Sequence, residues 1–328
     1  MRKRAGRFLF AVLILAVLTV TACTQVSRPP AGKEKALSAA GPDRKIRVVA
    51  TIFPLYDFTR QVGGERVEVF RLLPAGAEPH TWEPSPRDLA GIFDARVLVY
   101  NGAGTEPWVE KLKNELINKG VVVVEAAAGL ATLMGEEGES GKETAFPAGY
   151  RPAGVDPHVW LDPVLAEEMV KRIAGALAEA DPRGREGYLA RAEEYCRRLK
   201  ELDEEYRRAL GGLSGRKIVV THEAFGYLAR RYGLVQIGIT SLAPDREPEP
   251  RQMKKVAEIC RQDNIRYIFF EPQVSPRLAE AVARETGART LVLHPLASLT
   301  PEQESAGLDY IALMRENLAN LKTALEGQ

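Results

Sequence analysis

The chain has 328 residues, 45% of them hydrophobic, and its 45 basic and 44 acidic residues leave a net charge of +1. This composition is ordinary for a globular protein and gives no basic patch, which argues against nucleic acid as a partner. The length exceeds what one hydrophobic core usually supports, so two domains are predicted.

The first 43 residues are typical of an export signal and a tether. A basic start is followed by an apolar stretch at 8–20, and Val-Thr-Ala then precedes Cys23. The stretch is too short to span a bilayer and predicts a signal peptide of the bacterial lipoprotein type at 1–22, with Cys23 lipidated. An ordinary signal peptide with a chance cysteine is the alternative. Residues 23–43 are predicted to form a flexible lipidated tether, which anchors the protein to the extracytoplasmic face of the cell membrane.

Strand-like and helix-like segments alternate in the first half of the mature chain. Strands are predicted at 46–52, 67–73, 97–100 and 121–125, and helices at 55–62, 87–93 and 108–118. This order predicts an α/β lobe with a mostly parallel sheet at 44–184. The segment 135–154 has no apolar periodicity and predicts a surface loop.

A long amphipathic helix is predicted at 185–210, about 39 Å in length at 1.5 Å per residue. It is either a surface helix or a helix that links two lobes. The second half, 211–328, again alternates. Strands are predicted at 217–221, 235–239, 267–270 and 290–293, and helices at 222–232, 252–262, 276–286 and 308–325, which gives a second α/β lobe. Cys196 and Cys260 lie in helical patterns, where two buried thiols are favoured over a disulfide.

The four histidines are the strongest chemical signal in the chain. They lie in EPHTWEPSP (His80), DPHVWLDP (His158), IVVTHEAFG (His222) and TLVLHPLA (His294). The last two directly follow predicted strands, at the sheet edge where ligands bind in α/β proteins. The first two lie in stiff proline turns. Imidazole is the commonest protein ligand for zinc, so the four are predicted to converge on one ion in a cleft between the lobes.

Carboxylates near the histidines are candidates to accept their second N–H or to supply charge close to the ion. Glu223 follows His222, and Glu271 follows a predicted strand as the histidines do, so these two are the main candidates. Asp156 and Asp162 flank His158 in sequence. Capping or surface solvation is the alternative for each of these carboxylates.

Six segments together resemble one known family over nearly the whole chain. They are VVATIFPLYDF, LLPAGAEPHTWEPSPRDL, DPHVWLDP, VTHEAFGYLARRYGL, FFEPQVSPRLAEAVARETGA and LHPL. The chain resembles the lipoprotein substrate-binding proteins of ABC transporters for zinc and manganese. The resemblance implies two lobes joined by one rigid helix, an ABC permease as partner, and His80, His158 and His222 as the first three ligands.

Two departures from that family concern the metal. The fourth ligand of the family is usually a carboxylate, whereas the matching position here is His294, and Glu271 or another carboxylate remains an alternative. The loop at 135–154 holds four glutamates and no histidine, unlike the histidine-rich loop of many zinc binders. Because imidazole suits zinc and manganese favours carboxylate oxygen, Zn²⁺ is predicted as the transported ligand and Mn²⁺ is disfavoured.

The sequence therefore predicts a monomeric, membrane-anchored protein that captures zinc and delivers it to an ABC permease, and that is not an enzyme. A manganese- or iron-binding member of the same family is one alternative. A zinc hydrolase is another if His294 is not a ligand, because catalytic zinc keeps an open position for water. A surface adhesin whose fold is stabilised by metal is a third.

Overall fold

Eight short strands form two parallel sheets in the computed structural model, which describes residues 45–133, 154–242, 250–326 and 328. The first sheet, in the order β2-β1-β3-β4, contains β1 (Ile46–Ala50), β2 (Val67–Arg71), β3 (Val97–Tyr100) and β4 (Val122–Glu125). The second, in the order β6-β5-β7-β8, contains β5 (Lys217–Val220), β6 (Val235–Gly238), β7 (Tyr267–Phe270) and β8 (Arg289–Val292). The two sheets share one topology, so the predicted α/β fold with two similar lobes is confirmed.

Helices connect the strands and cover the sheets. The first lobe contains α1 (Phe53–Gly63), α2 (Pro86–Phe93), α3 (Pro107–Asn118) and α4 (Pro163–Ala180). After α5 (Arg185–Leu210) come α6 (Gly226–Arg231), α7 (Pro250–Gln262), α8 (Arg277–Thr286), α9 (Pro301–Ser305) and α10 (Tyr310–Leu325). Many of them have proline in the first turn, where its missing N–H costs nothing because that turn has no intrahelical acceptor.

The helix predicted at 222–232 was placed too early. Helix α6 begins at Gly226, and the residues before it form a turn in which the Phe225 backbone N–H donates to Gln236 Oε1 (2.6 Å). The Ala224 N–H donates to the His222 carbonyl two residues back (2.9 Å), which is not a helical pattern. This turn leaves His222 in a loop at the end of β5. The short helix α9 was not predicted, since PEQES has no apolar periodicity, and a capping box between Thr300 and Gln303 defines its start.

Helix α5 contacts both halves of the chain. Near its start, Arg191 Nε donates to the Val62 carbonyl in α1 (2.6 Å). Near its end, the buried Tyr206 hydroxyl donates to the Met314 carbonyl in α10 (2.6 Å). Of the two interpretations left open by the sequence, the linking helix fits these contacts. The domain boundaries proposed from the sequence stay a prediction.

The main hydrophobic core also runs through both halves, from Val48 in β1 to Leu321 in α10. A smaller cluster lies on the outer side of each sheet. Cys196 and Cys260 are buried free thiols, as the favoured interpretation predicted. None of the described helices is both long enough and apolar enough to cross a bilayer. The signal peptide, Cys23, the tether and residues 134–153 of the predicted loop lie outside the described part of the chain.

Candidate metal centre

Three of the four histidines meet between the two lobes. One ring nitrogen from each of His80, His158 and His222 lies within 4.8 Å of the other two. The ring centroids are 5.4 Å apart for His80 and His158, 5.9 Å for His80 and His222, and 5.3 Å for His158 and His222. The rings border a cavity of about 10 Å³, roughly the room that one water molecule needs. This arrangement is suited to a single ion.

Asp156 orients His158 from within the first lobe. Its Oδ1 atom accepts hydrogen bonds from the His158 backbone N–H (2.9 Å) and from His158 Nδ1 (2.8 Å). With Nδ1 carrying the proton, the lone pair of Nε2 is left for an ion. Asn101, directly after β3, donates from Nδ2 to the Pro157 carbonyl (3.1 Å) and so holds the same turn.

Glu271 orients His222 in the second lobe, as Asp156 orients His158 in the first. Both residues follow neighbouring parallel strands, β5 and β7, so their side chains meet at one sheet edge. Glu271 Oε1 accepts from His222 Nδ1 and from the Thr221 hydroxyl (3.0 Å). His222 Nε2 is buried and has no hydrogen-bond partner. An unpartnered buried nitrogen is costly unless a ligand occupies it, so this atom fits a metal-binding role.

His80 lies in the loop between β2 and α2 and is only half-buried, whereas the other two rings are fully enclosed. Its backbone N–H donates to Glu78 Oε1 (3.2 Å). Glu78 and Gln273 also line the cavity. The His80 side is therefore the accessible side of the site.

His294 is not brought into the histidine group. Its Nδ1 accepts from the Leu296 backbone N–H (2.9 Å), and its Nε2 lies 2.9 Å from Gln303 Oε1, to which it donates. Its backbone N–H and carbonyl are both bonded by the Asn317 side chain (2.8 and 2.7 Å). With both ring nitrogens bonded, His294 joins the end of β8 to α9 and α10. Its assignment as a ligand stays a prediction that this geometry does not favour.

The other two carboxylates considered from the sequence, Glu223 and Asp162, lie in different environments. Glu223 is buried beside Gly238, where a Cβ atom would lie 2.5 Å from the Glu223 Cγ atom. Asp162 caps α4, with Oδ1 accepting from the Val164 N–H (2.9 Å). Sequence reasoning missed Glu78 and Asn101 as neighbours of the site. Asn101 carried a usable signal, a polar residue directly after a buried strand.

The charges at the site are set by burial and by two carboxylates. Burial lowers the pKa of His158 well below its usual value, and the neighbouring His222 lowers it further. Burial also acts to lower the pKa of His222, but Glu271, Glu78 and Asp156 together outweigh it and raise that pKa above its usual value of 6.5. Burial acts to raise the pKa of Glu271, but His222, the Thr221 hydroxyl and His158 together lower it below its usual value. Burial raises the pKa of Asp156 to about 8.

Comparison with known proteins assigns the family. Residues 48–324 match the family model ZnuA, described as zinc-uptake complex component A, periplasmic. The chain belongs to this family. It is 36% identical over 324 residues to the high-affinity zinc uptake system protein ZnuA of Bacillus subtilis (strain 168), covering 99% of this chain and 98% of that protein. The resemblance inferred from the sequence is thereby confirmed.

Two streptococcal comparisons agree with this assignment. The chain is 39% identical over 280 residues to the zinc-binding lipoprotein AdcA of Streptococcus pneumoniae (strain ATCC BAA-255 / R6), covering 85% of this chain but only 56% of AdcA. The crystal structure of the Zn(II)-bound ZnuA-like domain of Streptococcus pneumoniae AdcA matches with a TM-score of 0.72 at 37% identity. That match covers 87% of this chain and 100% of the domain.

Proposed function

We propose that the protein captures a zinc ion on the extracytoplasmic side of the membrane and delivers it to an ABC permease. The observation that carries the proposal is the convergence of His80, His158 and His222, with a buried and unpartnered Nε2 on His222. Three imidazoles suit zinc better than manganese, which prefers carboxylate oxygen. The family membership and the zinc-binding relatives support the same cargo.

The ion enters past His80 and completes its coordination at the enclosed rings. Asp156 and Glu271 hold His158 and His222 by their second nitrogens, which raises ligand basicity and fixes the rings. The negative charge of Glu271 also offsets part of the +2 charge that three neutral imidazoles leave uncompensated. Glu78 and Gln273 line the side of the cavity where a fourth ligand or a water would lie.

A hydrolase is disfavoured by the family to which the chain belongs. The matching family model describes a component of a zinc-uptake complex, and the relative in Bacillus subtilis is a high-affinity zinc uptake system protein. Both descriptions concern uptake of the ion, and neither names a catalytic activity. We therefore propose a transport role without catalysis.

Calorimetric titration with zinc tests the proposal. The purified protein should bind one ion tightly, and His158→Ala should weaken binding by more than the ~10–100-fold that loss of an outer hydrogen-bond partner costs. His80→Ala and His222→Ala should act alike. Tight binding that survives the combined loss of His80 and His158 would refute the assignment.

We further propose that Cys23 carries the lipid that anchors a monomeric protein to the membrane. The apolar stretch at 8–20 and the small residues before Cys23 support this. In a membrane fractionation, Cys23→Ser should move the protein from the membrane to the soluble fraction. Unchanged partitioning would contradict the anchor, while the zinc titration would be unaffected by that outcome.

A further inference from the structure

Helix α6 connects two segments that carry proposed zinc ligands. One segment carries His158 in the first lobe, and the other carries His222 in the second lobe; they are called the ligand segments below. The helix begins four residues after His222 and contacts residues 156–162, which carry His158. Three of its residues, Gly226, Tyr227 and Arg231, face that segment. Each makes a different kind of contact.

The Tyr227 hydroxyl forms three hydrogen bonds to backbone atoms of the first lobe. It donates to the Asp156 carbonyl (3.0 Å) and accepts from the N–H groups of Thr132 (2.9 Å) and Leu133 (3.1 Å). Asp156 is the residue that holds His158 Nδ1. Tyr227 is 4% exposed, so these bonds are shielded from water.

Arg231 lies one turn further along α6 and forms an ion pair with Asp162, at the other end of the segment. Its Nε and terminal nitrogen lie 2.8 and 2.7 Å from Asp162 Oδ2, and the Asp162 side chain is 4% exposed. Asp162 Oδ1 accepts from Val164 at the start of α4. One carboxylate therefore ties α6 of the second lobe to α4 of the first, in a charge-assisted pair that water screens little.

Gly226 allows this close approach. A Cβ atom at that position would lie 2.7 Å from Asp156 Oδ2. The first turn of α6 therefore packs directly against the carboxylate that orients His158. Any side chain there would displace either α6 or Asp156.

We propose that Tyr227 and Arg231 are positioning residues that fix the separation of His158 and His222 before an ion arrives. The inference deepens the proposed zinc-binding function and rests on it. Because the two rings are attached to different lobes, their 5.3 Å separation holds only if the lobes are joined near the site. Because the two segments are already joined in the metal-free protein, less conformational entropy is lost when zinc binds. This increases the affinity for zinc.

The test compares Tyr227→Phe with Tyr232→Phe. Tyr232 directly follows the same helix and is also buried, but its hydroxyl donates to Asp203 Oδ1 in α5 (3.1 Å) rather than to an atom of either ligand segment. Both variants should lower the thermal midpoint of the metal-free protein. Only Tyr227→Phe should also weaken zinc binding. We expect a loss of about 10-fold, because mutation of residues that hold metal ligands in place typically has an effect of this size. Its bound Co²⁺ should give visible absorption bands that differ from those of the wild type, because the bands report coordination geometry.

The ion pair is tested by a double-mutant cycle on zinc affinity. Asn caps helices about as well as Asp, so Asp162→Asn keeps the α4 cap and removes only the charge that pairs with Arg231. Arg231→Gln and Asp162→Asn should each weaken zinc binding, and the double variant should be no weaker than the single ones.

The outcomes separate the two proposals. If the wild-type protein binds neither zinc nor cobalt, the proposed function fails. If the wild type binds while Tyr227→Phe and Arg231→Gln match Tyr232→Phe in affinity and cobalt spectrum, the function stands and this inference is overturned.

Discussion

At the residue scale, the three buried histidines of this chain show two different patterns of hydrogen bonding at their ring nitrogens. His158 and His222 each bond one ring nitrogen to a carboxylate, which leaves the other ring nitrogen available for the proposed ion. His294 has both ring nitrogens bonded within the protein. A buried imidazole is costly unless its nitrogens are satisfied, so the first pattern supports the proposed binding role and the second supports a structural role.

Replacing Glu271 by Gln should shift the pH dependence of zinc binding. Protons compete with zinc for His222. Burial acts to lower the pKa of His222, but the charge of Glu271, aided by Glu78 and Asp156, raises it above 6.5. In the wild type, affinity should therefore begin to fall above pH 6.5 as the pH is lowered. Glu271→Gln removes that charge while burial still lowers the pKa, so the fall should move to lower pH and the affinity at pH 8 should decrease.

Calorimetric titrations at several pH values between 8 and 5 measure both effects. Thr221→Val, which removes the other hydrogen bond to Glu271 but leaves the charge, is the matched control. A wild-type profile that stays flat across this range would contradict imidazole ligation.

Replacing His294 by Ala should affect stability more than zinc binding. The substitution leaves the buried Leu296 N–H without a partner, which costs about 1–3 kcal/mol, and removes one of the two hydrogen bonds accepted by Gln303 Oε1, the other coming from the Thr300 N–H. Denaturant unfolding of the metal-free protein measures this loss, and calorimetry measures zinc affinity. A loss of affinity as large as that of His158→Ala would instead identify His294 as a ligand.

At the element scale, helix positions followed from sequence patterns wherever apolar periodicity or proline marked them. The spacing of Tyr188, Leu199 and Tyr206 predicted α5 with its observed bounds, and those side chains are fully buried. The turn at 222–225 and the short helix α9 were not predicted. Their geometry depends on the Gln236 side chain and on a local cap, neither of which produces a periodic pattern.

Shortening a buried side chain of α5 should destabilise the protein strongly. Leu199 is 0% exposed, so Leu199→Ala should lower the free energy of unfolding by about 2–5 kcal/mol. Leu189 lies on the same helix and is 46% exposed, so Leu189→Ala should change it by only about 0.5 kcal/mol. Urea denaturation measures both, and equal effects would show that α5 is not held by this core.

At the scale of the whole molecule, the lobes are joined beside the metal site as well as through α5. Four hydrogen bonds tie the first lobe to the loop after β8. They join Phe53 N–H to the Ala297 carbonyl (2.9 Å), Trp160 Nε1 to the Pro295 carbonyl (2.7 Å), Gly76 N–H to the Leu299 carbonyl (2.8 Å) and the Ser298 hydroxyl to the Ala77 carbonyl (3.0 Å). Helix α6 makes a further connection, through Tyr227 and Arg231. The site is therefore part of the lobe interface, and ion binding and global stability are linked.

Zinc should stabilise the folded protein by an amount that grows with the logarithm of the free zinc concentration once this exceeds the dissociation constant. An ion at 100 times its dissociation constant adds about 2.7 kcal/mol to the free energy of unfolding. The thermal midpoint should rise with zinc concentration in the wild type and stay nearly constant in His158→Ala. A midpoint that rises equally in both would show that zinc acts elsewhere on the chain.

The sequence by itself determined the family, the two α/β lobes and the histidines worth testing. These follow from local periodicity, turn chemistry and motifs, which are properties of neighbouring residues. Only the tertiary structure decided which histidines meet. His80, His158 and His222 converge, while His294 bonds to Gln303 and Leu296, although both kinds of histidine occur in similar local sequences. The reason is physical: a site assembled from two lobes depends on how those lobes pack, and that packing is set by distant contacts such as the one between Arg231 and Asp162.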